Sequence, residues 1–193
     1  MRTYRGKRSV GRIFGYLLAT LMVFSGLVLV GYSFLMGDPL ATAAIFGKEP
    51  PKSGDLSLTV PDMRRVDGVP VYTGASNDEA ALHDGTLHVN STGFPWQDGA
   101  NVYIAGHRMG FPGTASFLVF NDLNALEDGD SVVLTDAEGT RYNYEVFEKF
   151  VVNPDAYSVT QPVPGKSVVS LQTCTLPNYS QRLVVQAELT SVA

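Results

Sequence analysis

The chain of 193 residues contains one cysteine, Cys174, and therefore cannot form a disulfide within itself. It has no tandem repeat, no Walker-type glycine loop and no paired CxxC segments, so repeat architectures, P-loop nucleotide binding and cysteine-rich zinc sites are excluded as readings. Basic residues are scarce outside the N-terminus. Residues 1–12 hold Arg2, Arg5, Lys7, Arg8 and Arg12 with no acid, and the other 9 Lys and Arg face 19 Asp and Glu, a net charge of −10 from Asp38 onward. Nucleic-acid binding requires a basic face to neutralise phosphates, and this acidic region does not provide one.

Charge is absent altogether from residues 13–36, "IFGYLLATLMVFSGLVLVGYSFLM". As a helix rising about 1.5 Å per residue, 24 positions reach roughly 36 Å, enough for a hydrocarbon core of about 30 Å. The basic cluster before it predicts a cytoplasmic N-terminus, an extracellular remainder and a single-pass protein of the cell membrane. "ATA" at 41–43 resembles a signal-peptidase site, but signal-peptide cores run about 7–15 residues, shorter than this stretch. The expected organisation is a cytoplasmic tail (1–12), a transmembrane helix (13–36), a juxtamembrane linker rich in Pro, Gly and Ala (37–55) and a folded extracellular domain (56–193).

That domain reads as all-β with one or two short helices. Strands are predicted at 56–60, 69–74, 101–106, 167–174 and 182–189, and a hairpin over 131–152 whose β-branched and aromatic arms flank "DAEG". A short helix is expected over 76–85, with Ser76 or Asn77 as its cap, and one helical turn within 117–130. Seven or eight short strands suggest a closed barrel, since closure removes exposed edges.

Three residues attract a chemical reading. Cys174 ends one strand, Arg182 opens the next, and His107 follows the strand "NVYIAG" directly. Taken singly, a lone cysteine is most often a buried small hydrophobe, and a strand-end histidine or an arginine is most often structural or merely exposed. Together they supply a thiolate nucleophile, a proton donor for a leaving amine and a fixed cation for an oxyanion. If the strand before His107 and the strand opened by Arg182 are neighbours, both side chains converge on one rim. A free thiol titrates near 8.5, so a thiolate at neutral pH needs such a cation nearby.

These segments resemble the sortases, membrane-anchored cysteine transpeptidases of Gram-positive bacteria. The family pattern T-L-x-T-C is matched by Ser170-Leu171-Gln172-Thr173-Cys174, with serine for the first threonine. The pattern around G-N-V-x-I-A-G-H-R is matched from Gly99 to Arg108 with Ala100 inserted, and L-x-x-L-x-x-G-D by Leu123, Leu126, Gly129 and Asp130. The resemblance covers roughly 56–189. It implies a sortase-type β-barrel with Cys174 as nucleophile, His107 as general acid/base and Arg182 as the oxyanion or substrate-orienting residue. It further implies Thr173 beside the nucleophile as a hydroxyl for substrate, and His88 as a second histidine near the pocket, with a buried structural role as the alternative. His83 reads as surface and Arg108 as support for the loop after His107.

The implied reaction is cleavage of an LPxTG- or LAxTG-type sorting signal between Thr and Gly through a thioacyl enzyme. Transfer then goes to an amine of lipid II, a peptidoglycan cross-bridge or a pilin lysine, which anchors surface proteins to the cell wall. The "IAGHR" and "QRL-x-V-x-AEL" stretches look most like class E. Against a pilin-polymerising class C enzyme, Asp38-Pro39 is followed by Leu40 and abuts the anchor, and the chain ends soon after its last strand. Another exported cell-wall cysteine peptidase remains as an alternative, although the order of His and Cys here fits neither an L,D-transpeptidase nor a papain-like enzyme. Acids at 127–138 form no patterned ligand loop, so no metal or cofactor is expected.

Overall fold

The computed structural model describes residues 16, 18–28, 32, 51 and 53–193. The chain divides into two units, Met1–Phe46 and Gly47–Ala193. In the first, residues 18–28 are helical, and among the described residues no helix is long and apolar enough to cross a membrane. The expected tail at 1–12 lies outside the described residues, as do much of the expected span at 13–36 and most of the linker at 37–55.

The second unit is a closed eight-stranded barrel. Its strands are β1 (Leu56–Thr59), β2 (Val69–Gly74), β3 (Thr86–Val89), β4 (Asn101–Ala105), β5 (Ser131–Asp136), β6 (Arg141–Val152), β7 (Val168–Cys174) and β8 (Arg182–Val192). Around the barrel they run β1-β2-β3-β4-β7-β8-β6-β5, and β1 closes the ring by pairing with both β2 and β5. Two neighbouring pairs, β2–β3 and β4–β7, are parallel and the rest antiparallel. A parallel pair needs a crossover, and between β2 and β3 this is the helix α1 (Glu79–Asp84). Its cap is Asp78, whose carboxylate accepts from the Ala81 amide at 3.1 Å, so the helix starts later than the Ser76 or Asn77 cap would place it.

The core follows from strand periodicity. Leu58 faces Leu134, Ile104 faces Leu171, and Leu171 faces Val185, all at 1% exposure or less. Each such side chain contributes roughly 2 kcal/mol by its removal from water. The β5–β6 hairpin turns where "DAEG" predicts: the Asp136 carboxylate accepts from the amides of Glu138 and Thr140, and Gly139 takes the left-handed φ of +86°.

One strand was not expected. β3 is four residues long and buried at every position, "TLHV", so it shows none of the alternation that marks a half-exposed strand. It carries His88, which is 0% exposed. The ring donates from Nε2 to the Gly93 carbonyl at 2.9 Å, accepts at Nδ1 from the Thr73 hydroxyl at 3.2 Å, and packs on Phe94 at 4.6 Å between centroids. Burial holds His88 down at about 4, against 6.5 for an ordinary histidine, partly offset by the bond to Gly93.

Between pH 6.5 and about 4 the unfolded chain binds a proton at His88 that the folded chain does not, so stability falls as pH falls through this window. The slope approaches about 1.4 kcal/mol per pH unit, and the full effect is about 3 kcal/mol. Urea unfolding at pH 7.5, 6.0 and 5.0 checks this. His88→Gln should be less stable at pH 7.5 and show a flatter decline, whereas an unchanged slope would refute the assignment.

Candidate active site

Register brings two of the sequence-predicted residues together. β7 and β8 run antiparallel with Cys174 directly opposite Arg182. Side chains opposite one another on an antiparallel pair share a face, with Cβ atoms about 5 Å apart. Cys174 is half-buried, and Nη1 of Arg182 donates to the carbonyls of Tyr179 and Gln181, both at 3.2 Å. The guanidinium thus lies against the loop joining the two strands. That loop is held by Thr175, whose amide donates to the Gln181 carbonyl at 3.0 Å and whose carbonyl accepts from Tyr179 at 2.9 Å.

His107 reaches the same end of the barrel by another route. β4 and β8 are not neighbours, contrary to the simplest way of bringing His107 and Arg182 to one rim; β7 lies between them and pairs with both. The β4–β7 pairing continues past the last ladder residue, where the Gly106 amide donates to the Gln172 carbonyl at 2.9 Å. The Thr173 hydroxyl then donates to the Gly106 carbonyl at 2.8 Å. The residue before the histidine is therefore bonded to the residue before the cysteine.

Gly106 has a packing reason to be glycine, because a Cβ there would meet the ring of the fully buried Phe120 at 2.5 Å. Phe120 returns the contact by donating its amide to the His107 carbonyl at 3.1 Å. Beyond it, Gly110 takes a φ of +61° with Ser116 packed against it so closely that a Cβ would lie 2.0 Å from the Ser116 carbonyl oxygen. The loop after the histidine is thereby folded back on itself.

The His107 and His88 rings differ in what the fold asks of them. Among the described residues, Nε2 of His107 is buried with no hydrogen-bond partner, and the ring meets the edge of Phe111 at 5.5 Å between centroids. A general acid/base needs a ring nitrogen that the fold has not claimed, and His107 has one. His88 has both nitrogens engaged inside the barrel, a placement that favours the structural of its two readings. His83, half exposed on α1, bonds Asp84 and packs at a tilt against the same Phe111, 4.7 Å between centroids. Arg108 donates to Asn124 at 2.7 Å, tying the loop after His107 to the 3₁₀ turn Leu123–Ala125.

Thr173 departs from the expected role. Successive side chains of a strand point to opposite faces, so Thr173 cannot share the face of Cys174. It is 0% exposed, and its hydroxyl is committed to Gly106. The structure makes it a clamp on His107 rather than a group facing substrate. Thr173→Val, which keeps the shape and removes the hydroxyl, should lower kcat roughly tenfold and stability by about 1 kcal/mol, while Thr173→Ser should retain both within about a factor of two. Steady-state kinetics with a melting curve on each variant separates the two effects, and a fully active Thr173→Val would count against the clamp.

Tyr103, in the strand before His107, lies within reach of the Arg182 charge. Its partner in β7 is Ser170, which shares a face with Cys174 four residues later. Burial pushes its hydroxyl up to about 12, and the nearby charge of Arg182 opposes that shift. Parity along β4 and β7 would have found it, but only once the pairing of those strands was known. Among the described residues, no three His, Cys, Asp or Glu side chains are grouped to hold a metal ion.

The chain as a whole is similar to proteins already characterised. A sequence profile described as the Sortase domain matches residues 58–190. Sortase A of Streptococcus agalactiae serotype III (strain NEM316) is 31% identical over 164 residues, covering 82% of this chain and 63% of its own length. Sortase A from Corynebacterium diphtheriae superposes with a TM-score of 0.62 at 26% identity, over 76% of this chain and 65% of the other. Sortase C-1 from Actinomyces oris superposes with a TM-score of 0.61 at 26% identity, over 81% and 77%. The chain thus spans a little under two thirds of the length of the two sortase A proteins. The profile match and the identity to a sortase A, on a barrel with this site at its end, establish that this chain belongs to the sortase family.

Proposed function

We propose that the protein is a membrane-anchored, extracellular cysteine transpeptidase that cleaves an LPxTG- or LAxTG-type sorting signal between Thr and Gly. The observation that carries this reading is the Cys174–Arg182 pair on one face of β7 and β8, with His107 tied to the same end through Thr173 and Gly106. The Cys174 thiolate attacks the threonine carbonyl, and the C–N bond to glycine breaks as His107 delivers a proton to the departing amine. Among the described residues Arg182 commits Nη1 to the loop carbonyls, which leaves the donors of Nε and Nη2 for the substrate carbonyl and its oxyanion. An incoming amine attacks the thioester carbonyl, gives its proton to His107 and displaces the Cys174 thiolate, which completes transfer to lipid II, a peptidoglycan cross-bridge or a pilin lysine.

The class E assignment, with a preference for LAxTG, rests on the "IAGHR" and "QRL-x-V-x-AEL" stretches. The similarity to a sortase C-1 keeps pilin polymerisation as the second reading. The test is a panel of LPxTG and LAxTG peptides incubated with the protein and with several amines, triglycine and a lysine peptide among them. Mass spectrometry should find cleavage between Thr and Gly and an amide to the added amine. Cleavage at another bond, or none with any peptide, would reject the reading.

A further inference from the structure

The face that displays Cys174 also carries a buried polar chain for which the reaction above has no use. Four residues before Cys174, Ser170 lies opposite Gln186 of β8 and opposite Tyr103 of β4, so Asn101, two residues before Tyr103, shares that face. The chain is continuous. Nε2 of Gln186 donates to the Ser170 hydroxyl at 3.1 Å, which donates to Oδ1 of Asn101 at 2.8 Å. Both hydrogens of the Asn101 amide leave the barrel, to the carbonyls of Val159 and Gln161, each at 2.9 Å. Asn101 is 1% exposed, Ser170 0% and Gln186 6%.

The carbonyls it holds belong to residues 153–167, the long connection from β6 to β7. Because β8 lies between those two strands, this connection crosses the face of the sheet that bears Cys174 and Arg182. Beneath it lies a cavity of about 320 Å³, lined by Glu148, Phe150, Val159, Pro162, Val163 and Gln186 among others. The other anchors of this loop on the sheet gather at its end, where Lys166 pairs with Glu188 and lies over the Phe147 ring. There the Ser167 hydroxyl accepts from the Gly99 amide at 2.8 Å and the Ser167 carbonyl accepts from the Leu189 amide at 2.8 Å. Asn101 is the side chain that holds its middle. An asparagine is suited to the place because its two donors and one acceptor are all used, and a buried polar group left unpaired would be costly.

We infer that Asn101 is a positioning residue for peptide binding, which holds the β6–β7 loop as a wall above the Cys174 face and so sets KM for the sorting peptide. The inference rests on the peptide-transfer reading above. Ser170 and Gln186 fix the rotamer of Asn101 and act through it. The catalytic end lies about 13 Å away along β7 and is tied by its own bonds, so the tether governs binding and leaves the chemical step alone.

The test uses Asn101→Asp, which keeps size and removes both donors, and Ser170→Ala, which leaves Asn101 intact but unfixed. Asn101→Asp, which loses both hydrogen bonds to the loop, should raise KM about tenfold, with kcat within about a factor of two. Ser170→Ala should raise KM by a smaller factor in the same direction. Alkylation of Cys174 by iodoacetamide should keep its rate in both, and amide exchange over residues 157–163 should accelerate in both.

A merely structural role would lower the melting temperature and leave KM unmoved well below it, and that result overturns the inference. So does a loss confined to kcat. If Asn101→Asp does not fold, Ser170→Ala decides on the same criteria. If the wild-type protein cleaves no sorting peptide, the transfer reading fails by itself. Unchanged exchange over 157–163 would then overturn the tether, while faster exchange would uphold the loop anchoring on which it depends.

Discussion

Replacing Cys174 with alanine should reduce cleavage of a quenched LPxTG or LAxTG peptide to background while leaving the barrel intact. No other thiol exists in the chain to take over, and a methyl group has no nucleophile to form the thioacyl intermediate. The thiol is half-buried on the outer face at the end of β7, away from the packed interior, so its loss removes little buried area and should shift stability by less than about 1 kcal/mol. Peptide affinity, measured by fluorescence anisotropy on the variant, should persist. Turnover by Cys174→Ala at anything near the wild-type rate would show that the chemistry lies elsewhere, and a non-enzymatic peptide-binding domain would be unaffected by the change in any assay.

Arg182→Ala should lower kcat by about 10² to 10³, the range seen when one preorganised oxyanion donor is removed. The physical reason is its station directly opposite Cys174 with part of its donor fork uncommitted. Arg182→Lys should recover only part of the loss. A lysine restores the charge but not the planar fork, and it cannot hold the Tyr179 and Gln181 carbonyls while also meeting substrate. The arginine also braces the loop at 175–181, so thermal unfolding must accompany the kinetics. A kcat loss with an unchanged melting point assigns the effect to transition-state stabilisation. Full activity of Arg182→Ala would remove Arg182 from the mechanism and favour a thiol peptidase that needs no such arginine.

Much of this was legible before any fold was in view, because the informative features are local. Strand starts at 56, 69, 101, 131 and 182 follow from β-branched runs cut by Gly, Pro and Asp, and the hairpin turn follows from a glycine that must take a positive φ. The three candidates for the chemistry were also legible in the sequence, since cysteine, histidine and arginine at strand ends are unusual enough in combination to narrow the chemistry. β3 escaped because four residues buried on both sides present no alternation, and burial is a property of neighbours rather than of the segment.

What only the tertiary structure decided is which residues share a face. On a strand this depends on register, and register depends on crossovers that no stretch of sequence states. The antiparallel register of β7 and β8 puts Cys174 opposite Arg182, and the two parallel pairings turn Thr173 inward to hold Gly106 and enclose His88 among Thr73, Gly93 and Phe94. The same pairings set Asn101 beneath a loop more than fifty positions further along the chain. The sequence by itself determined which groups were available for chemistry, since side-chain reactivity is a property of single residues. Which of them meet had to wait for the barrel to close, because the bonds of Thr173 to Gly106 and of Asn101 to Val159 and Gln161 join segments distant in sequence.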